Sequence, residues 1–256
     1  MSHANAALTP IARLRLGRLV VEQGWTISQA ADFYRELGDR SGTASALNSW
    51  GSALRNSGDE TGARPLFSEA LAVRRELGDE PGQATALYNL GCLALDEDDL
   101  AGGRAMLEEA LQLDTKAGDD WGVAADVAAL GVAALDSGEL DEARVLIVRA
   151  LIAFRDVGDN DRLAEVLGSM AGLAGAAGDP VRSARLAGAA EATWGELGIP
   201  LAPHDRARFE RYQEKALAAL GAEAFEQARR EGRSMTVDQA LTFALAETGY
   251  QSPPTI

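Results

Sequence analysis

Apolar side chains recur every three to four positions along most of this chain, and small residues recur between them. That spacing places the apolar residues on one face of an α-helix. Short polar breaks with glycine and aspartate separate the apolar segments at intervals of about 20 residues. The pattern predicts an all-α protein made of successive helices and short turns.

Glycine marks these breaks at regular intervals. A glycine suits the left-handed residue just past a helix C-terminus, and an acidic residue suits the N-cap of the helix that follows. Each Gly-acidic pair therefore predicts that one helix ends and the next begins. The glycines stand at positions 38, 58, 78, 118, 138, 158, 178 and 198, with Asp98 interrupting the series, and the acidic residues are Asp39, Asp59, Asp79, Asp119, Glu139, Asp159 and Asp179.

Every second 20-residue unit matches, so the full repeat has 40 residues and two helices. Small residues in one column predict where helix backbones approach closely, and bulky residues in another predict what fills the interface. The small column of the first helix holds Gly51, Gly91, Gly131 and Ala171, and the column in the second helix holds Phe67, Leu107, Ile147 and Ala187.

A large-small pair at 50–51, a small residue at 63, a bulky residue at 67 and alanine at 70 resemble the tetratricopeptide repeat (TPR). The resemblance implies a right-handed α-α superhelix of stacked hairpins. In that fold the first helix of each pair lines a concave groove that binds a peptide or a protein segment. The usual repeat has about 34 residues, so the additional residues here would lengthen the helices.

The C-terminal part carries a further resemblance. The segment RLAGAAEATWGELGIPLAPHDRARFERYQEKALAALGAEAFEQARREGRSMTVDQALTFAL, residues 185–245, resembles the segment that closes the TPR region of bacterial ATPase or LuxR-type transcription regulators of the maltose-activator kind. The resemblance implies an upstream ATPase module and often a helix-turn-helix DNA reader. This chain has no G-x-x-x-x-G-K-[ST] run, so we expect the sensor or interaction module alone and transfer neither ATP hydrolysis nor DNA binding.

The repeat frame predicts a domain division. Gly24 and Gly38 are 14 residues apart rather than 20, which predicts a shortened, degenerate first hairpin over 1–41. Four hairpins follow at 42–81, 82–121, 122–161 and 162–199, then a C-terminal helical cap at 200–250 and a tail at 251–256. Within the cap we expect helices over Asp205–Leu220, Ala222–Glu231 and Thr236–Glu247, with Thr236 as an N-cap.

Composition narrows the classes of partner. Lys and Arg total 24 against 39 Asp and Glu, a net charge of −15, which opposes binding to nucleic acid or anionic lipid. The single cysteine, Cys92, excludes an internal disulfide and fits a reducing compartment. The sequence shows neither a signal peptide nor a membrane-spanning run. We therefore expect a cytoplasmic protein whose partner is a protein or peptide.

The TPR resemblance implies which side chains line the groove. In this frame the lining is mixed polar and apolar and almost without lysine. It would suit an apolar or amphipathic peptide, such as another domain of the same regulator. The groove residues are Asn48, Ser52, Arg55, Asn56, Thr85, Tyr88, Asn89, Cys92, Asp96 and Asp136, and the same frame places Ser45 beside them.

The sequence offers no convincing catalytic, cofactor or metal site. His3 and His204 are too isolated to form a metal site, the run from Asp96 to Asp99 falls where a turn is expected, and Cys92 has no histidine nearby to activate it. Three alternatives to the interaction scaffold remain. They are a sensor of a small effector, an enzyme whose site the sequence does not reveal, and a module that self-associates as a homodimer rather than a monomer.

Overall fold

The computed structural model describes residues 26–198 and 201–246, and within those ranges every regular element is an α-helix. Predictions about His3, Gly24, residues 1–25, the end at Glu247 and the tail at 251–256 lie outside the described residues. The helices are α1 Ile27–Glu36, α2 Arg40–Ser57, α3 Glu60–Leu77, α4 Glu80–Asp96, α5 Leu100–Ala117, α6 Asp120–Asp136, α7 Leu140–Val157, α8 Asn160–Ala176, α9 Pro180–Leu197, α10 Pro203–Arg233 and α11 Val237–Leu245. None of these helices is long and apolar enough to cross a bilayer.

The chain divides into two compact units, the first ending at Asp126 and the second beginning at Val127. Unit 1 holds α1 to α5 and the start of α6, and unit 2 holds the rest of α6 and α7 to α11. In both units neighbouring helices pack as hairpins, which confirms the all-α prediction. Helix α1 has 10 residues, whereas α3 in the next hairpin has 18.

The predicted turn glycines all adopt the left-handed conformation, with φ between 65° and 88°. At Gly58, for example, φ is 88° and the amide donates back to the carbonyls of Leu54 and Arg55 at the end of α2. Asp98, which interrupts the glycine series, also has a positive φ of 63°. The turn geometry is therefore kept even where the side chain disfavours it.

The acidic residue after each turn caps the next helix in all but one case. The Asp59 carboxylate accepts from the Gly62 amide at 2.9 Å, and Glu139 is the exception, with no capping hydrogen bond to α7. Glutamate is one methylene longer than the favoured N-cap residues. The caps are Asp39, Asp59, Asp79, Asp99, Asp119, Asp159 and Asp179, each accepting from the amide three residues later.

We expect Asp99→Ala to lower the free energy of unfolding by about 1 kcal/mol, because the Gly102 amide at the start of α5 loses its acceptor. Urea unfolding followed by circular dichroism measures the change. Asp99→Asn is the matched control, since asparagine caps about as well as aspartate. Equal losses in the two variants would contradict the assignment.

The small and bulky columns meet as predicted. A Cβ added at Gly51 would lie 2.7 Å from the Phe67 ring, and one added at Gly91 would lie 2.7 Å from Leu107. In unit 2, a Cβ at Gly131 would lie 2.8 Å from Ile147. The missing side chain at the small position therefore makes room for the fully buried bulky residue of the next helix.

Helix α10 is bent at Gly221, where φ is 75° and ψ is 162°. The bend falls between the first two helices predicted for the C-terminal cap. The segment before the bend packs on α8, where the Tyr212 ring lies against Gly172, and the segment after it crosses α9, where the Arg229 carbonyl lies against Gly188. Thr236 caps α11 in a capping box with Gln239, as the sequence predicted.

Arg182 of α9 binds the C-terminal end of α11. Its guanidinium donates to the carbonyl oxygens of Phe243 at 2.8 Å, Ala244 at 3.0 Å and Ala246 at 2.8 Å. The same group lies over the Phe243 ring, 4.9 Å from its centroid, a cation–π geometry. One side chain thus satisfies the C-terminal carbonyls of a helix that would otherwise lack donors.

Candidate functional site

Two asparagines connect neighbouring first helices in unit 1. The Asn89 side-chain amide on α4 donates to the Asn48 Oδ1 on α2 at 3.0 Å. Both residues are half-buried, so they form part of a surface rather than of the core. The structure thereby brings together two of the predicted groove residues. We call the surface formed by Asn48, Asn89 and their groove neighbours on α2 and α4 the inner-helix face of unit 1.

Arg55 and Asp96 connect the same two helices about two turns after Asn48 and Asn89. The Arg55 guanidinium lies 2.7 Å from the Asp96 carboxylate, and the side chains are 15% and 1% exposed. An ion pair this shielded from solvent is costly to break from one side, because the remaining charge stays buried. It fixes α2 against α4 and sets the spacing of the face that carries Asn48 and Asn89.

The remaining polar groove residues of unit 1 contact their own helices or solvent. Ser52 donates to the Asn48 carbonyl at 3.0 Å, and Thr85 donates to the Pro81 carbonyl at 3.1 Å. Asn56 is exposed. Tyr88 is half-buried and packs on the apolar cluster around Phe67, so it is in part a core residue.

Three predicted positions depart from the expected surface. Cys92 is only 7% exposed, which leaves little of it for a partner to contact. Ser45 is buried and accepts from Arg74 of α3 at 2.5 Å. The helical period of α2 and α4 turns both positions toward a neighbouring helix.

Asp136, the third departure, is used by the chain's own C-terminal segment. Its carboxylate accepts from the Tyr212 hydroxyl at 2.9 Å and from Arg211 of α10 at 2.9 Å. Burial, followed by the nearby Asp136 charge, raises the pKa of Tyr212, so the hydroxyl stays a donor. The repeat frame could not reveal this contact, because the Tyr212 segment lies outside the repeats.

Sequence reasoning missed a buried arginine. Arg74 of α3 is 4% exposed and donates to Ser41 at 3.1 Å and to the Asp79 carboxylate at 2.5 Å, as well as to Ser45. The 40-residue frame contains the signal, because this column changes its chemistry from repeat to repeat. Its members are Tyr34, Arg74, Asp114, Phe154 and Trp194.

A buried acidic pair was also missed. Asp126 of α6 is 0% exposed and Asp114 of α5 is 7% exposed. Burial, then the charge of Asp114, raises the pKa of Asp126 to about 9, and burial, then the charge of Asp119, raises the pKa of Asp114 to about 6. The sequence signal was the single acidic residue within the apolar run GVAADVAAL.

Unit 2 contains a small cavity of about 210 Å³ lined by Arg144, Met170, Leu173, Arg182 and Ala246. Ligand sites usually occupy roughly 300–1,000 Å³. The Arg182 guanidinium in its wall already donates to three carbonyls of the α11 end. The cavity therefore gives little support to the alternative of a small-effector sensor.

Comparison with known proteins agrees with the hairpin architecture. Residues 42–116 match the family model described as tetratricopeptide repeat. No curated protein matches the chain significantly.

Solved structures resemble a larger part of the chain. The crystal structure of BtubC (BKLC) from P. vanneervenii is 19% identical, covers 94% of this chain and 95% of its own, and has a TM-score of 0.58. A Podosopora anserina protein, described as kinesin light chain with nearly identical TPR-like repeats, is 15% identical, covers 79% of this chain and 94% of its own, and has a TM-score of 0.50. At these identities the likeness shows the fold, which is one of TPR-like helical hairpins.

Proposed function

We propose that this chain of TPR-like hairpins is an interaction module that binds an extended segment of a partner protein on the inner-helix face of unit 1. Repeat folds of this kind present extended surfaces for binding. The observation that carries the proposal is the half-buried Asn48–Asn89 pair, which joins two neighbouring hairpins.

The chemistry of this pair suits a peptide backbone. The Asn89 side-chain nitrogen donates to the Asn48 side-chain oxygen. The Asn48 nitrogen therefore remains a donor for a partner, and the Asn89 oxygen remains an acceptor. A peptide unit needs the same combination, because it carries one N–H and one C=O. The Arg55–Asp96 ion pair holds the two helices at a fixed separation, which reduces the ordering cost of binding.

Charge favours a basic partner segment. Residues 26–126 contain eight Lys or Arg against nineteen Asp or Glu, a formal charge of −11 out of −15 for the whole chain. A segment with lysine or arginine beside its apolar residues would be attracted to this acidic part of the chain, and the attraction would weaken as salt screens it. The partner is accordingly an extended, amphipathic and net basic peptide.

The regulator context rests on the resemblance of residues 185–245 to the closing segment of ATPase or LuxR-type regulators. We propose that the partner segment belongs to a signalling or transcription regulator, either in another domain of the same polypeptide or in a separate one. Affinity capture with the intact chain tests this context. Recovery of polypeptides without any ATPase or DNA-binding domain would remove it and leave the peptide-binding proposal standing.

We expect Asn48→Ala and Asn89→Ala each to weaken binding of a selected peptide by about 3- to 30-fold, which corresponds to about one lost hydrogen bond. Peptides are selected by display against the full chain, and their affinity is measured by isothermal titration calorimetry. Tyr88 is a poorer choice for substitution, because it also packs on the core.

Asn160→Ala is the matched control, since Asn160 is exposed at the first turn of α8 in the other unit. We expect its affinity to equal that of the unsubstituted chain. Unchanged binding in both Asn48 and Asn89 variants would reject the placement of the peptide on this face. An affinity independent of salt between roughly 0.05 and 0.5 M would reject the basic character of the partner.

A further inference from the structure

Asp114 and Asp126 lie close together in the interior of unit 1. Asp126 lies in α6, and Asp114, in the last turn of α5, has its carboxylate against Gly122, one helical turn before Asp126. Among the described residues, neither carboxylate oxygen of Asp126 has a hydrogen-bond donor. Two ionised carboxylates offer only acceptors to one another, so their contact requires a shared proton or a cation.

The preceding repeat shows that this position need not be acidic. Arg74 occupies the place 40 residues before Asp114, and its guanidinium donates to Ser45 and to the Asp79 cap. In the next repeat the corresponding cap is Asp119, but the buried side chain at the position of Arg74 is the carboxyl group of Asp114. The side chain 40 residues before Asp126 is Ala86. Both members of the pair are thus specific to this repeat.

We propose that Asp114 and Asp126 form a buried proton-binding site, and that α5 packs closely against α6 only while the pair holds a proton. The proton lies on Asp126, which donates to the ionised Asp114. This assignment follows from burial, since Asp126 is the more enclosed of the two. The other charge that acts on the pair is that of Asp119 at the N-cap of α6, and it also favours the protonated state.

A divalent cation is the competing occupant. It would need more oxygen ligands than two carboxyl groups supply. Asp119 already uses one oxygen to accept from the Gly122 amide at 3.0 Å. Burial of both carboxyl groups also leaves no open path for a hydrated ion. A proton meets neither difficulty.

The site makes stability depend on pH with a defined sign. In the unfolded chain both carboxyl groups ionise near their ordinary value of 3.8, whereas in the folded chain their pKa values are about 6 and about 9. Above pH 4 the unfolded state therefore binds fewer protons than the folded state, and stability falls as pH rises until Asp126 ionises near pH 9. Ionisation of this pair destabilises the fold at alkaline pH.

The experiment measures the thermal unfolding midpoint of the full chain between pH 5 and 10. We expect the midpoint to fall steadily between pH 6 and 9, and we expect Asp126→Asn to remove most of that fall, because an amide donates to Asp114 at every pH. Asp120→Asn, at an exposed position in the first turn of α6, is the matched control and should keep the decline of the unsubstituted chain. Parallel curves for Asp126→Asn and the unsubstituted chain would overturn the proposal.

Two further measurements keep the proposal testable if Asp126→Asn folds poorly. Carbon-13 NMR of the aspartate carboxyl groups in the unsubstituted chain should show one group titrating above pH 8, and titration of every aspartate below pH 5 would overturn the site. Calcium chloride at millimolar concentration should leave the unfolding midpoint at pH 7 unchanged. A rise of several degrees, together with loss of the carboxyl titration above pH 8 when calcium is present, would assign the pair to a cation instead.

Discussion

Gly188→Ala is expected to lower the free energy of unfolding by about 3 kcal/mol or more, the upper range for an overpacked interface. The added Cβ would lie 2.0 Å from the carbonyl oxygen of Arg229, where α10 crosses α9. Gly232 is the reciprocal residue, since its Cβ would lie 1.9 Å from the carbonyl oxygen of Arg185. Backbone atoms in two packed helices cannot move away as a flexible side chain can, so the helices must separate.

An ion-pair network centred on one carboxylate near the crossing raises the free-energy cost of separating the helices. Arg229 and Arg233 of α10 both donate to the Glu191 carboxylate of α9 at 2.9 Å. Chemical unfolding in urea measures the loss for Gly188→Ala and for Gly232→Ala. Gly195→Ala on the same helix is the control, because nothing lies within 4 Å of its added Cβ and alanine favours the helix. Equal stability of the Gly188 and Gly195 variants would contradict the crossing.

Phe67→Ala is expected to cost about 3–5 kcal/mol, the usual range for removing a fully buried phenylalanine. Gly51→Ala alone should cost about 1–3 kcal/mol, since its Cβ would press on the Phe67 ring. The chain itself shows the compensated arrangement, because the corresponding positions in the last repeat are Ala171 and Ala187, both fully buried. The double variant Gly51→Ala with Phe67→Ala reproduces that pair.

We therefore expect the double variant to lose less stability than the sum of its parts, by about 1 kcal/mol or more. A double-mutant cycle from urea unfolding gives the coupling free energy directly. Gly195→Ala combined with Phe67→Ala serves as the uncoupled cycle, because the two sites belong to different units. Additive losses at positions 51 and 67 would show that the two residues do not share one interface.

The repeating part of the fold could be predicted from the sequence because its determinants are local. A left-handed glycine after each helix and an aspartate cap before the next act within a few residues. The alignment of Gly51 with Phe67 needed only the 40-residue period in addition. Asp98 has the same positive φ as the turn glycines, since the helices on both sides of it impose the turn geometry.

The close crossing at Gly188 and Gly232 could not be predicted in the same way. Gly188 resembles any small residue of a helix interior, and Gly232 lies beyond the last turn glycine, where no period assigns it a neighbour. Contacts between a repeat and a segment outside the repeats depend on the path of the chain after the bend at Gly221. The contact of Tyr212 with Asp136 was hidden for a related reason, because the segment before the bend also lies outside the repeats.

For the candidate site, the sequence predicted residues on two neighbouring helices but not the bonds between them. The period placed Asn48 and Asn89 on the same side of successive first helices, but the hydrogen bond between them depends on how far one helix is shifted along the other. Ser45 shows the opposite outcome. A polar residue one turn from Asn48 was expected at the surface, but the long Arg74 side chain reaches it in the interior.

The binding of the α11 end by Arg182 has a consequence for which amino-acid substitutions this segment tolerates in evolution. The guanidinium binds main-chain oxygens, two of them at Ala244 and Ala246, and every residue type supplies such an oxygen. Ala246 is exposed, so its side chain can change without releasing the helix, whereas Ala244 is fully buried and accepts only a small side chain. A lysine in place of Arg182 would lose the forked geometry that reaches several acceptors at once. Helix α11 thus depends more on one distant arginine than on the residue type at position 246.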